Sequence, residues 1–122
     1  MPYLFFFFAL SFILTHEMDA IRLQEWKLFI GLSKLDDQLG YTVFTALHIP
    51  LYGLIFWGLF KNGFAAINTS LVFSLDVFFI IHLVLHILFL KHRNNRFISV
   101  FSWSLILGAA ICGAIDLFLN FI

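Results

Sequence analysis

The sequence predicts an all-α fold: an integral membrane four-helix bundle with a short amphipathic helix in the interface plane between spans one and two. Three observations predict it. Of the 122 residues, 62% are hydrophobic and only 11% charged, whereas soluble domains carry about a quarter charged residues. Aromatic residues make up 20%, with Phe alone contributing 18, and a small water-soluble fold could not bury so much apolar surface. The apolar residues also fall into four long runs separated by short polar turns, which is the pattern of helices that satisfy their backbones internally in lipid.

The first span covers about residues 3–20. Its purely apolar part, Tyr3 to Leu14, lacks the basic start and small-residue cleavage site of a secretory signal. It is also too short to cross a bilayer, which takes about 20 residues. The helix must therefore continue through His16, Glu17 and Asp19, which sets ionisable groups at one end of the membrane. Beyond it, Leu23, Trp26, Phe29 and Ile30 recur at helical spacing among Arg22, Gln24, Glu25 and Lys27, the pattern of an interfacial amphipathic helix. Gly31 is placed to end that helix, and residues 33–40 read as loop.

The second span covers about residues 41–60 and contains Pro50, which frees the carbonyl of Ala46. The third covers about 69–90, with Asn68 or Thr69 as N-cap. The fourth covers about 97–120 and carries Gly108, Ala109, Ala110, Cys112, Gly113 and Ala114, small residues that let a neighbouring helix approach closely. Residues 1–122 thus form a single membrane domain.

Basic residues set the orientation. Arg22, Lys27 and Lys34 lie between spans one and two, and Lys91, Arg93 and Arg96 between spans three and four; only Lys61 lies on the other side. Loops 21–40 and 91–96 are therefore expected to face the cytoplasm, with both termini outside. Trp26 and Trp103 are expected at the inner interface and Trp57 at the outer one. The formal net charge of zero and the lack of a basic arm exclude a nucleic-acid partner. Cys112 is alone, which excludes an internal disulfide and a Cys-rich zinc motif.

Ionisable groups inside spans are costly and point to function. Counting 1.5 Å per residue, His16 lies at the inner end of span one, His48 roughly 10 Å in, His86 roughly 6 Å in and His82 roughly 12 Å in. Four histidines from three helices therefore share one leaflet. His82 and His86, four apart, share a helix face, a common spacing for two metal ligands; His16 and Asp19, three apart, share another. The candidate metal ligands are His16, Asp19, His48, His82 and His86. Four nitrogens and a carboxylate suit a transition metal, zinc or iron, rather than calcium or magnesium. Glu17 and Glu25 are the candidate catalytic residues, as general bases. The plain structural alternative is a buried polar network that specifies helix packing without metal. Haem, held by His48 with His82 or His86, is a further option, constrained by the bulky Phe positions. His92 reads as part of a solvated basic turn and Cys112 as packing filler. Asp116 reads as an interface residue near Asn120, and Asp76, in the outer half of span three, as a group that shares a proton or a water with it.

The segment His16-Glu17-Met18-Asp19-Ala20, followed by Glu25-Trp26, resembles the signature of a family of small, uncharacterised bacterial four-helix membrane proteins. His48 with Pro50, His82 with His86, and Ser102-Trp103 extend the resemblance over nearly the whole chain; Leu23-Gln24 stands where that family has a basic residue before Glu25. The resemblance implies a bacterial inner-membrane location and a topology, and no reaction. A looser similarity is to membrane proteins with a His-x-x-Glu-Glu motif thought to bind metal, of which this chain keeps half, as His16-x-x-Asp19-Ala20.

Three functions fit these residues. The first is a metal-dependent enzyme acting on an apolar or lipid substrate. The second is a non-enzymatic subunit or regulator of a larger membrane complex. The third is a proton or metal transporter working as an oligomer. The partners expected are the lipid bilayer and either another membrane protein or further copies of the chain.

Overall fold

The computed structural model describes residues 2–122 and contains four long α-helices: α1 (Leu4–Arg22), α2 (Asp37–Phe60), α3 (Thr69–Leu88) and α4 (Val100–Phe121). Each is long and apolar enough to cross a membrane, which marks an integral membrane protein. The bundle is all-α.

Side-chain caps set three of the helix starts. The carboxylate of Asp36 accepts from the Leu39 N–H at 2.8 Å, the Asn68 side chain from the Leu71 N–H at 3.2 Å, and the Ser99 hydroxyl from the Ser102 N–H at 3.0 Å. Each satisfies a donor that the first helical turn leaves orphaned. Asn68 also donates to the Gly58 carbonyl at 3.1 Å, which ties the start of α3 back to the end of α2. Helix α2 begins at Asp37, four residues ahead of the span expected from hydrophobicity, because the Asp36 cap and not the apolar run decides where it starts. It passes Pro50 without interruption.

Helix α4 is the spine. Its glycines admit α1 on one side and α3 on the other: a Cβ at Gly108 would meet the Phe12 ring at 2.7 Å, and one at Gly113 would meet the Asp76 carbonyl and the Phe79 ring at 3.3 Å. The small-residue face read from the sequence is thus filled from two directions. Between α1, α3 and α4 lies one apolar core, with Phe6, Leu10, Ile13, Val72, Phe79 and Ala109. A second, of Ala20, Trp26, Leu28, Phe44, Phe97 and Ile106, closes the end that bears the basic loops. Helix α2 is peripheral: 11% of its apolar stretch is buried, against 28–39% for the other three.

The link between α1 and α2 differs from the expected amphipathic helix. Helix α1 runs on to Arg22, Gln24 takes a left-handed conformation (φ 56), and the chain folds back through two 3₁₀ turns, Glu25–Leu28 and Leu32–Lys34. A left-handed residue breaks helical periodicity, so the apolar spacing continues while the helix does not. Trp26 follows from this. It is not an interface anchor but a buried residue, 2% exposed, packed on Phe44 and pressed against Gly40, where a Cβ would collide with its indole.

Candidate metal centre

Three imidazoles and a carboxylate converge beneath that folded-back link. His82 and His86 project from one face of α3, as their spacing requires. His16 reaches them from α1, with ring centroids 4.7 Å from His82 and 5.0 Å from His86; the two α3 rings are 4.6 Å apart. Glu25 closes the group from the first 3₁₀ turn. One Glu25 oxygen lies 3.3 Å from His86 Nε2 and 3.9 Å from His16 Nε2. One ligand atom from each of the four residues falls within 4.8 Å of all the others, and all four residues are buried.

Glu25 is held in place by polar contacts around its turn. Asn94, in the α3–α4 loop, donates to the Lys27 carbonyl at 3.1 Å; Arg96 donates to the Gln24 side chain at 3.0 Å; Lys27 pairs with Asp37 at 2.8 Å. Two separate elements, the α3–α4 loop and the start of α2, thus fix the position of one turn. Burial would raise the Glu25 carboxyl, but the His16 and His86 imidazoles beside it outweigh that and bring the pKa down to about 2. The carboxylate is therefore ionised across the physiological range.

The group is polar but not satisfied. Both nitrogens of His16 and Nδ1 of His82 are buried without a hydrogen-bond partner. A polar network kept for packing normally pairs its buried groups, since each orphan costs about 1–3 kcal/mol. The surroundings are apolar and aromatic: the Phe97 ring lies 4.6 Å from His86 and 5.4 Å from His16. That combination, imidazole nitrogens with one carboxylate inside a largely apolar shell, is a transition-metal donor set. Tetrahedral bonds of about 2.0–2.1 Å place ligand atoms about 3.3 Å apart, so the more distant pairs must close by about 1.5 Å or less, within reach of side-chain rotation.

Two residues proposed from the sequence stand apart. His48 is outside the four-residue group, and both its nitrogens are engaged: Nδ1 donates to the Phe44 carbonyl at 2.6 Å and Nε2 meets Glu17 at 2.7 Å. Because a carbonyl only accepts, Nδ1 carries a proton. The contact with Glu17 must then hold a second proton, shared between imidazole and carboxyl. With both nitrogens occupied, His48 is not disposed to take an axial position on haem. Asp19 is also outside; it pairs with Arg22 at 3.2 Å. Glu25, read from the sequence as a general base, instead stands among the imidazoles. Glu17, outside the cluster, faces open space beside it.

That space is a cavity of about 360 Å³ between α2 and α3. Glu17, His48, Glu25, His82 and His86 form its polar wall, and Leu47, Leu51, Phe78 and Leu85 line its mouth, each half exposed on the outer surface of the bundle.

A second buried polar pair lies toward the opposite end of the bundle. Asp76 and Asp116 face each other between α3 and α4, 0% and 1% exposed. Asp116 is a core residue, not an interface one: it accepts from the Phe6 backbone N–H at 3.1 Å and from Asn120 at 3.0 Å.

No curated protein and no solved structure matches the chain. A family model matches residues 3–122, and the chain belongs to that family, described as a family of unknown function (DUF6713).

Proposed function

We propose that the protein is a metal-dependent membrane enzyme in which His16, His82, His86 and Glu25 hold one zinc or iron ion beside an apolar substrate cavity. The observation that carries this reading is the set of partnerless imidazole nitrogens gathered around one ionised carboxylate. The bound ion would supply Lewis-acid polarisation of a substrate oxygen or of water. The chain's own residues do the rest. Glu17 and His48 share a proton on the same cavity wall and are placed to give or take it as general acid and base. Leu47, Leu51, Phe78 and Leu85 admit an apolar molecule sideways from the bilayer and keep water out. Asp19 and His48, among the ligands read from the sequence, lie outside the four-residue group. The basic loops face the cytoplasm of a bacterial inner membrane, with both termini outside, so the centre serves the inner leaflet.

The transporter alternative loses support from the residues between the two polar sites. Along α1 and α3 these are Ala9, Leu10, Ile13 and Phe79, all buried in one apolar core. They form a barrier between Asp76 and the histidines.

The test is metal analysis of protein purified in mild detergent and reloaded with zinc or iron. About one equivalent per chain, lost on Glu25→Ala substitution with the fold retained, is the expected result. Less than about half an equivalent after reloading would refute the reading.

A further inference from the structure

Leu28 and Phe29 each line two depressions. On one side lies the apolar cavity beside the histidines; on the other lies a shallow groove, with Lys34, His92 and Arg93 on its walls. Lys27 is also in that groove, but Asp37 neutralises it at 2.8 Å. Lys34 and Arg93 are exposed and have no acidic partner among the described residues. A hydrocarbon-lined chamber therefore opens, across one pair of side chains, next to an uncompensated positive patch. Clustered Lys and Arg at the end of membrane helices attract anionic head groups, each contributing about 1 kcal/mol. Apolar pockets with a few convergent polar groups take the body of a ligand.

We propose that cavity and groove are a single binding site for an anionic membrane amphiphile with one acyl chain. Its oxyanion head rests on Lys34 and Arg93. Its chain passes Leu28 and Phe29 and lies along Leu32, Phe44 and Leu85, which brings the first chain carbons or the head-group linkage alongside His82 and His86. This deepens the enzyme reading and rests on it, because it names the substrate class of the same centre. The two halves select different things. The cavity, at about 360 Å³, has the volume for one chain, and the patch selects negative charge.

The experiment uses Trp26, which is buried against Phe44 on the cavity wall at 5.7 Å between ring centroids. In the full chain carrying Trp57→Phe and Trp103→Phe, in nanodiscs of zwitterionic lipid, brominated oleoyl lysophosphatidate should quench Trp26 saturably. Brominated oleoyl lysophosphatidylcholine should do so at least about tenfold more weakly, and Lys34→Gln with Arg93→Gln should remove that preference, since two charges are worth about tenfold or more. Leu85→Phe, which narrows the chamber without touching the patch, should reduce quenching by both lipids. Equal quenching by the two lipids, an unchanged preference in the double charge variant, or no saturable quenching would each overturn the proposal. Run after chelation and again with zinc added, the titration separates the two claims. Lipid-selective quenching in a protein that takes up no metal sinks the metal centre and keeps the lipid site; metal uptake without selective quenching does the reverse.

Discussion

The two buried polar regions of this bundle both leave polar atoms without partners, Asp76 and Asp116 as well as the histidines, and differ in their donor sets and in the space beside them. At one end, His16, His82, His86 and Glu25 leave three imidazole nitrogens without partners and border a cavity of about 360 Å³. At the other, Asp76 and Asp116 are wedged between α3 and α4 with Gly113 against them, and Asp116 accepts from a backbone N–H and from Asn120. The cavity beside the histidines does not extend to the aspartates. Polar burial by itself therefore does not mark a site. Unused donor capacity next to accessible space does.

That contrast can be broken most forcefully at the histidines. Replacing His82 and His86 together with Ala should weaken zinc or iron affinity by well over about a hundredfold, since loss of supporting residues alone costs 10–100-fold. Unfolding of the metal-free protein should change much less, because His82 leaves Nδ1 unpaired and His86 has Glu25 as its one ionic partner. A chelator-competition titration and a denaturant melt in detergent measure the two quantities. A large loss of metal-free stability with unchanged metal affinity would turn the histidines into packing residues.

At the aspartate end the signs reverse. Asp116→Ala strands the Phe6 N–H and the Asn120 amide, and should cost about 1–3 kcal/mol of stability with no change in metal affinity. Asp76→Asn offers a donor to the partnerless Asp116 oxygen and should stay within about 0.5 kcal/mol of the natural protein. Thermal melts with and without zinc distinguish these outcomes.

A glycine pair compares the spine with the periphery. Gly113→Ala pushes a methyl to 3.3 Å from the Asp76 carbonyl and the Phe79 ring, an overpacking expected to cost about 1–3 kcal/mol. Gly53→Ala, on the peripheral helix with nothing within 4 Å of the added carbon, should be neutral or gain up to about 1 kcal/mol of helix propensity. Equal effects at the two glycines would contradict the assignment of α4 as spine and α2 as periphery.

Hydrophobicity and small-residue spacing made the four helices and the packing face of α4 legible before any coordinates. The four-residue spacing of His82 and His86 and the depth of His16 were also legible, because both follow from helix geometry alone. His48 shows the limit of that reasoning. Its depth matches the others, but depth along a helix does not give azimuth, and α2 lies off the bundle and turns this ring to Glu17. Glu25 was legible as a residue of interest and illegible as a member of the cluster. Its position depends on Gln24 adopting a left-handed conformation without the glycine that would announce it, so periodicity carried a helix through a segment where the chain reverses. Trp26 was misplaced for the same reason. Asp116 reads in the sequence as an interface residue because its partner, the Phe6 N–H, lies 110 positions away.

X-ray absorption spectroscopy at the metal edge of the reconstituted, metal-loaded protein tests the central claim most directly. The account predicts a first shell of nitrogen and oxygen at about 2.0–2.2 Å with the outer-shell scattering of imidazole rings, which weakens in His16→Ala and is unchanged in His48→Ala. A spectrum without imidazole scattering, or one that loses it with His48 instead of His16, would contradict it.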